Sequence, residues 1–289
     1  DFLKPQSRAQ CFAETWGLTY RPSGERATPY TVTHAPVADA DGLARLPVAD
    51  PREGALGEQL EALRLIRAAA GPDVPIIWTV FAPPMILPML ARGGRDQALG
   101  LLREAPRETG RAFDVMAETL AEYARLAVAA GADGLFYATN VAARGLLSAE
   151  ECRRWQRPWD LRILQAVEPA PFNVLHVCGA GIHFEEFADY PVGALSFATA
   201  PGNPTLAAAH ARTGRAVIGG LPGKPEIAAM TEAALVARAA AATREMGGRS
   251  LLLGPDCSIN PDTPARLLHA VGAALRDGAS AGLEGSGAL

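Results

Sequence analysis

A chain of 289 residues, 49% of them hydrophobic, is long enough for one large domain or two small ones around a substantial core. Its formal net charge of −4, with acids and bases interspersed and no basic stripe, lacks the electrostatic footprint of a nucleic-acid binder. No apolar run approaches the roughly 18–20 residues of a membrane span, no signal peptide is visible, and four cysteines in so long a chain make no disulfide framework, so a reducing cytoplasm is expected.

Asp1-Phe2-Leu3-Lys4 reads as the apolar end of a strand with no initiator methionine, so a natural N-terminal segment, first strand included, is expected to be missing or replaced. The stretch from Arg21 to Pro51 is poor in periodicity and rich in Pro, Gly and Asp. It reads as a long loop over one mouth of the fold, with room for a short hairpin around Tyr30–His34. From Pro75 onward a regular pattern sets in. Short apolar runs at Pro75–Phe81, Gly134–Ala138, Asn173–Val177, Ala194–Phe197, Ala216–Ile218 and Ser250–Leu253 do not alternate with polar residues, as expected of strands buried on both faces. Amphipathic helices are predicted between them over Thr109–Ala130, from Ser148 with its Ser-x-x-Glu capping box, over Pro225–Met246 and over Pro264–Leu275. Repeated βα units imply parallel strands with right-handed crossovers. A Gly-x-Gly-x-x-Gly turn is absent, and candidate functional residues fall at the C-terminal ends of several strands. Both features favour a TIM (β/α)8 barrel over an open doubly wound sheet. The expected organisation is one barrel domain over residues 1–277 and a flexible tail over 278–289.

The residues with most chemical content are His176, Cys178 and Cys257. Residues i and i+2 of a strand project from the same face, so His176 and Cys178 point together from the end of their run. Cys257 follows the last strand, and an eight-stranded barrel is narrow enough for such ends to meet. One imidazole and two thiolates form a soft set that suits Zn2+ and leaves a fourth position open. The same residues also suit a plain core, since cysteine is among the most buried residue types, and spacing alone leaves both readings standing. Cys11 and Cys152 are assigned to structure.

Further candidates lie at strand ends. Asn140 could hydrogen-bond a substrate or simply make a turn. Tyr137 could line the cavity, although packing suits it better. Lys4 and Arg8 could meet a substrate carboxylate or sulfonate, or face solvent. Phe81 and Met85 could form an apolar wall or pack in the core. Gly219–Lys224 reads as a tight turn with a surface lysine. His183 reads as the first turn of a short helix, Glu185, Glu186 and Asp189 as a solvated face, and His34, His210 and His269 as surface or packing residues.

The chain resembles the uroporphyrinogen decarboxylase superfamily. The likeness rests on Asp1–Lys4 with Arg8, Phe12–Gly17, Gly131–Gly134, Gly145–Ser148 running to Arg157-Pro158-Trp159, Asn173–Gly179 and Cys257–Pro264. It implies the TIM-barrel fold. It also implies two branches: metal-free decarboxylases with an aspartate at the barrel mouth, and zinc methyltransferases of the corrinoid:coenzyme M and cobalamin-independent methionine synthase kind. His176, Cys178 and Cys257 match the second branch, which implies that they hold zinc. The acid that related proteins place at the end of the next strand is missing, because that strand reads Leu195-Ser196-Phe197-Ala198-Thr199. The fourth ligand therefore stays open. The leading expectation is a methyltransferase acting on a small-molecule thiol and an activated methyl donor such as a methylcorrinoid, with a corrinoid protein as a candidate partner. The alternatives are a uroporphyrinogen decarboxylase-like lyase and a non-catalytic barrel that binds a corrinoid protein. Neither nucleic acid nor membrane is expected as a partner, and the oligomeric state is left open.

Overall fold

A computed structural model describes residues 2–5, 8–24 and 30–284, in two compact units. The first comprises Asp1–Val177 and His183–Gly193, the second Cys178–Ile182 and Ala194–Leu289.

The first unit opens on the expected strand end. Leu3 donates to Pro75 O and accepts from Ile77 N in an isolated parallel bridge with Ile76, while Asp1 lies outside the described residues. Strands β1 (Thr19–Pro22) and β2 (Tyr30–His34) form an antiparallel hairpin, with a Thr19–Thr33 hydroxyl bond across it. The stretch expected to be loop up to Pro51 also holds a short helix, Ala40–Ala44, capped by Asp39. Three parallel strands follow: β3 (Ile77–Phe81), β4 (Gly134–Thr139) and β5 (Val174–Val177). Between β3 and β4 run the helices Pro83–Leu90, Gly94–Glu104 and Pro106–Ala129, the first two beyond what the sequence pattern was read to contain. Pro83 and Pro84 stand in the first turn of their helix, where a missing N–H costs nothing. Helix Ala149–Trp155 has the expected capping box, Ser148 and Glu151 each bonding the other's backbone N–H.

Alternation on β4 divides its side chains between two surroundings. Tyr137 points toward helix Arg157–Gln165, where its hydroxyl donates to Asp160 at 2.6 Å and the Tyr190 hydroxyl donates to the same carboxyl at 3.2 Å. Asp160 is fully buried, and burial lifts it from its ordinary 3.8 to about 7, with the two tyrosine donors pulling the other way. The folded chain thus keeps a proton that the unfolded chain releases near its ordinary value. This group favours folding most below about pH 4, and that contribution is lost as the pH rises toward 7. Asp160→Asn is expected to flatten the pH dependence of stability across this window, read as urea midpoints at several pH values. An unchanged slope would place the pH sensitivity elsewhere.

The second unit has parallel strands β6 (Ala194–Phe197), β7 (Ala216–Leu221) and β8 (Leu251–Pro255). Strand β7 runs on through Gly219, Gly220 and Leu221, which the sequence reading placed in a turn. A Cβ on Gly220, at φ 94°, would lie 2.6 Å from Ala242 Cβ, so glycine here lets helix Glu232–Glu245 press on the strand. The single helix expected over Pro225–Met246 is two, Glu226–Ala229 and Glu232–Glu245. Met230 is extended, and the Thr231 side chain caps the second by accepting from Ala234 N. Leu221, Ile227, Leu235, Ala239, Leu267 and Val271 close a core beneath these helices. The last helix, Ala265–Glu284, continues past Asp277, where a loose tail was expected to start; residues 285–289 lie outside the described residues. Among the described residues no helix is long and apolar enough to cross a membrane.

Candidate metal centre

His176 is the third residue of β5, and the chain turns beyond Cys178 at Gly179, at φ 112°. Cys257 follows β8 by two residues. Its Sγ lies 3.5 Å from that of Cys178, and one ligand atom each of His176, Cys178 and Cys257 lies within 4.8 Å of the others. His176 is buried and the two cysteines are half-buried. Two sulfurs on one tetrahedral zinc, at about 2.3 Å each, stand roughly 3.8 Å apart, so the observed separation and the donor set both fit that ion. The other two cysteines differ: Cys11 and Cys152 are fully buried, and burial pushes both thiols up to about 12.

The surroundings of the three residues include Phe136, which was not singled out in the sequence, and Lys4, which was. Phe136 stacks on the His176 ring with centroids 5.2 Å apart and planes 25° from parallel. The Lys4 ammonium sits 4.5 Å from the Phe136 centroid on β4. The register pairs Ala138 with His176 and Phe136 with Val174, so Phe136 shares the His176 face and Tyr137 does not. Alternation along β4 puts Phe136 and Tyr137 on opposite faces, and the register with β5 decides which of them meets His176. Tyr137 takes the packing role, its hydroxyl held by Asp160. On β3, Thr79 pairs with Phe136 and is 2% exposed, and its Oγ1 has no hydrogen-bond partner among the described residues.

Asp256 turns its carboxylate to Thr199, accepting from its backbone N and its hydroxyl at 3.1 Å each. The strand end that lacks an acid of its own is thus bonded to one from the residue before Cys257. Asn203 ties the loops that follow β5 and β6: it accepts from Ile182 N at 2.9 Å and donates to Gly179 O at 2.9 Å and Ala198 O at 2.8 Å. Neither bond set is visible without the fold, because each joins loops remote in sequence.

Asn140, just past β4, keeps a buried Oδ1 with no hydrogen-bond partner among the described residues. Phe81 is 8% exposed and stacks on Phe12 at 4.7 Å, and Met85 is half-buried in helix Pro83–Leu90. Arg8 is engaged by carboxylates, Glu14 and Glu58 each at 3.1 Å. His183 Nε2 bonds Leu147 O at 2.8 Å and precedes the 3-10 turn Phe184–Phe187. The face read as solvated is ion-paired: Glu186 with Arg153 and Asp189 with Arg157, both at 2.7 Å.

The family model described as Uroporphyrinogen decarboxylase (URO-D) matches residues 10–277. A uroporphyrinogen decarboxylase of Sorangium cellulosum is 30% identical over 250 residues, 83% of this chain and 69% of that protein. The methylcobamide:CoM methyltransferase MtaA of Methanosarcina barkeri is 30% identical over 123 residues, 42% of this chain and 34% of that protein. Among solved structures, a methyltransferase from Methanosarcina mazei superposes with a TM-score of 0.82 at 22% identity, covering 96% of this chain and 80% of its own. That likeness shows the fold, and the α/β class of (β/α)-barrel type read from the sequence agrees with it.

Proposed function

The chain belongs to the uroporphyrinogen decarboxylase family, and we propose that it is a zinc-dependent methyltransferase carrying a methyl group from an activated donor, a methylcorrinoid or similar compound, to a thiol. The observation that carries this reading is the cluster of His176, Cys178 and Cys257. The similarity to a methylcobamide:CoM methyltransferase supports it.

In this reading the three side chains hold one Zn2+ and leave one position for substrate. The ion, when bound, keeps a coordinated substrate thiol deprotonated and hence nucleophilic. The chain's own residues do the rest. Phe136 fixes the plane of the His176 ring so that its donor nitrogen stays aimed. The Asp256–Thr199 bonds hold the loop that carries Cys257. Lys4 offers a cation to an acidic group of the ligand, and Asn140 Oδ1 accepts a ligand N–H or O–H. Phe81 and Met85 contribute apolar wall. Arg8 serves substrate only by giving up Glu14 and Glu58, and Tyr137 is a packing residue.

A lyase acting on a porphyrinogen is the second reading, favoured by the identity with the Sorangium protein. Metal analysis and two assays separate the readings. Protein purified without added zinc is expected to hold about one equivalent per chain and to methylate a free thiol from methylcobalamin. Metal-free protein that releases CO2 from a porphyrinogen would overturn the methyltransferase. No turnover with any donor and thiol would leave a barrel that only binds a corrinoid protein.

A further inference from the structure

We propose that Cys178 and Cys257 form a site of oxidative modification, joining as an intramolecular disulfide when a hydroperoxide meets the metal-free chain. Their sulfurs are 3.5 Å apart, against about 2.05 Å in a disulfide, so a shift of roughly 1.5 Å joins them. Rotation of either side chain about its Cα–Cβ bond moves a sulfur on that scale, so the loop that Asn203 holds at Gly179 O need not shift. Both cysteines are half-buried, within reach of a small oxidant. The contrast within the chain sharpens the assignment. Cys11 and Cys152 are buried, with thiols pushed up to about 12, so almost none of either is thiolate at neutral pH.

The reaction balances without a further partner. One thiolate attacks the peroxide oxygen, the O–O bond breaks, and the cysteine becomes a sulfenic acid while an alcohol or water leaves. The second thiol then displaces hydroxide from that sulfur, forming the S–S bond and releasing water. Two thiols lose two electrons and two protons, and one hydroperoxide is reduced. A metal held by both sulfurs keeps them from this chemistry, which is the clause that rests on the function proposed above; the cross-link itself does not depend on it.

The test uses the full chain, stripped with a chelator, desalted and treated with hydrogen peroxide. Thiols titrated in denaturant are expected to fall from the four of the sequence to two. The intact mass should drop by two hydrogens, and a dithiothreitol-reversible species should link the peptides bearing Cys178 and Cys257. Cys257→Ser should abolish the link, while Cys152→Ala keeps it. Oxygen atoms added to either sulfur without a link, a link to Cys11 or Cys152, or four surviving thiols would overturn the proposal. In a parallel arm, zinc-loaded protein is expected to cross-link at least about ten-fold more slowly and to release zinc in step with it, read with a chromogenic chelator. A stripped chain that cross-links but takes up no zinc would sink the metal reading and leave the cross-link standing. Tight zinc binding without any cross-link on stripping would do the reverse.

Discussion

Cys257→Ala is expected to leave the purified chain with less than about a tenth of the zinc of the unsubstituted protein, and to lose thiol methylation with it. Removing one of three protein ligands strips a direct bond to the ion, and the loss of even an outer partner of a ligand costs about 10–100-fold in affinity. The direct ligand should therefore cost more than the upper end of that range. A graded series makes the result specific. Cys178→Ala and His176→Ala should behave alike, since all three donors lie within the same 4.8 Å. Phe136→Leu, which removes only the ring stacked on His176, should weaken zinc about ten-fold. Cys152→Ala, at a buried thiol in helix Ala149–Trp155, should leave zinc content unchanged. The readouts are bound metal by elemental analysis and competition with a chelator. Full occupancy in Cys257→Ala would remove that residue from the ligand set.

Gly134→Ala is expected to destabilise the chain by about 3 kcal/mol or more, at the top of the range for forced overpacking. A Cβ at this first residue of β4 would stand 2.1 Å from Phe172 O, 2.4 Å from Phe172 C and 2.9 Å from Asn173 N. All three are backbone atoms, fixed in turn by the bonds from Phe172 N to Asp133 O and from Leu135 N to Asn173 Oδ1. No rotamer change relieves that overlap. Gly110→Ala gives the opposite sign, stabilising by about 0.5–1 kcal/mol, because it lies inside helix Pro106–Ala129 with nothing within 4 Å of an added methyl. Urea midpoints of the two variants measure the contrast. A loss under about 1 kcal/mol at Gly134 would mean that the crossing of these two segments can slide.

The strands were legible because their runs are nearly continuous apolar stretches without alternation: Ala194–Phe197 is identical in sequence reading and structure, and the other five agree within three residues. Glycine misled at β7, since the Gly219-Gly220 pair that resembles a turn is used for close packing of a helix on a strand. Proline misled after β3, where Pro83, Pro84 and Pro88 hide a helix. The hairpin at Tyr30–His34 and the capping box at Ser148 follow local rules and were found. For the candidate centre, His-x-Cys on a strand end and a late cysteine were readable from alternation. Tyr137, for which packing suited the sequence better than a cavity role, packs with its hydroxyl on Asp160, while Phe136 on the other face of β4 had not been singled out. Asp256 on Thr199 and the bonds of Asn203 to Gly179 and Ile182 had no signal in sequence, because they join two loops remote along the chain.

Asn203 leaves the chain one further property. Its side chain must accept once and donate twice, which an amide alone can do; aspartate would turn a negative oxygen toward the carbonyls of Gly179 and Ala198. Asparagine ordinarily ages into aspartate when the following backbone nitrogen, stripped of its hydrogen, closes a five-membered imide on the side chain. Residue 204 is proline, whose nitrogen has no hydrogen to lose. The knot beneath the two loops is therefore closed to that route of ageing by its own neighbour.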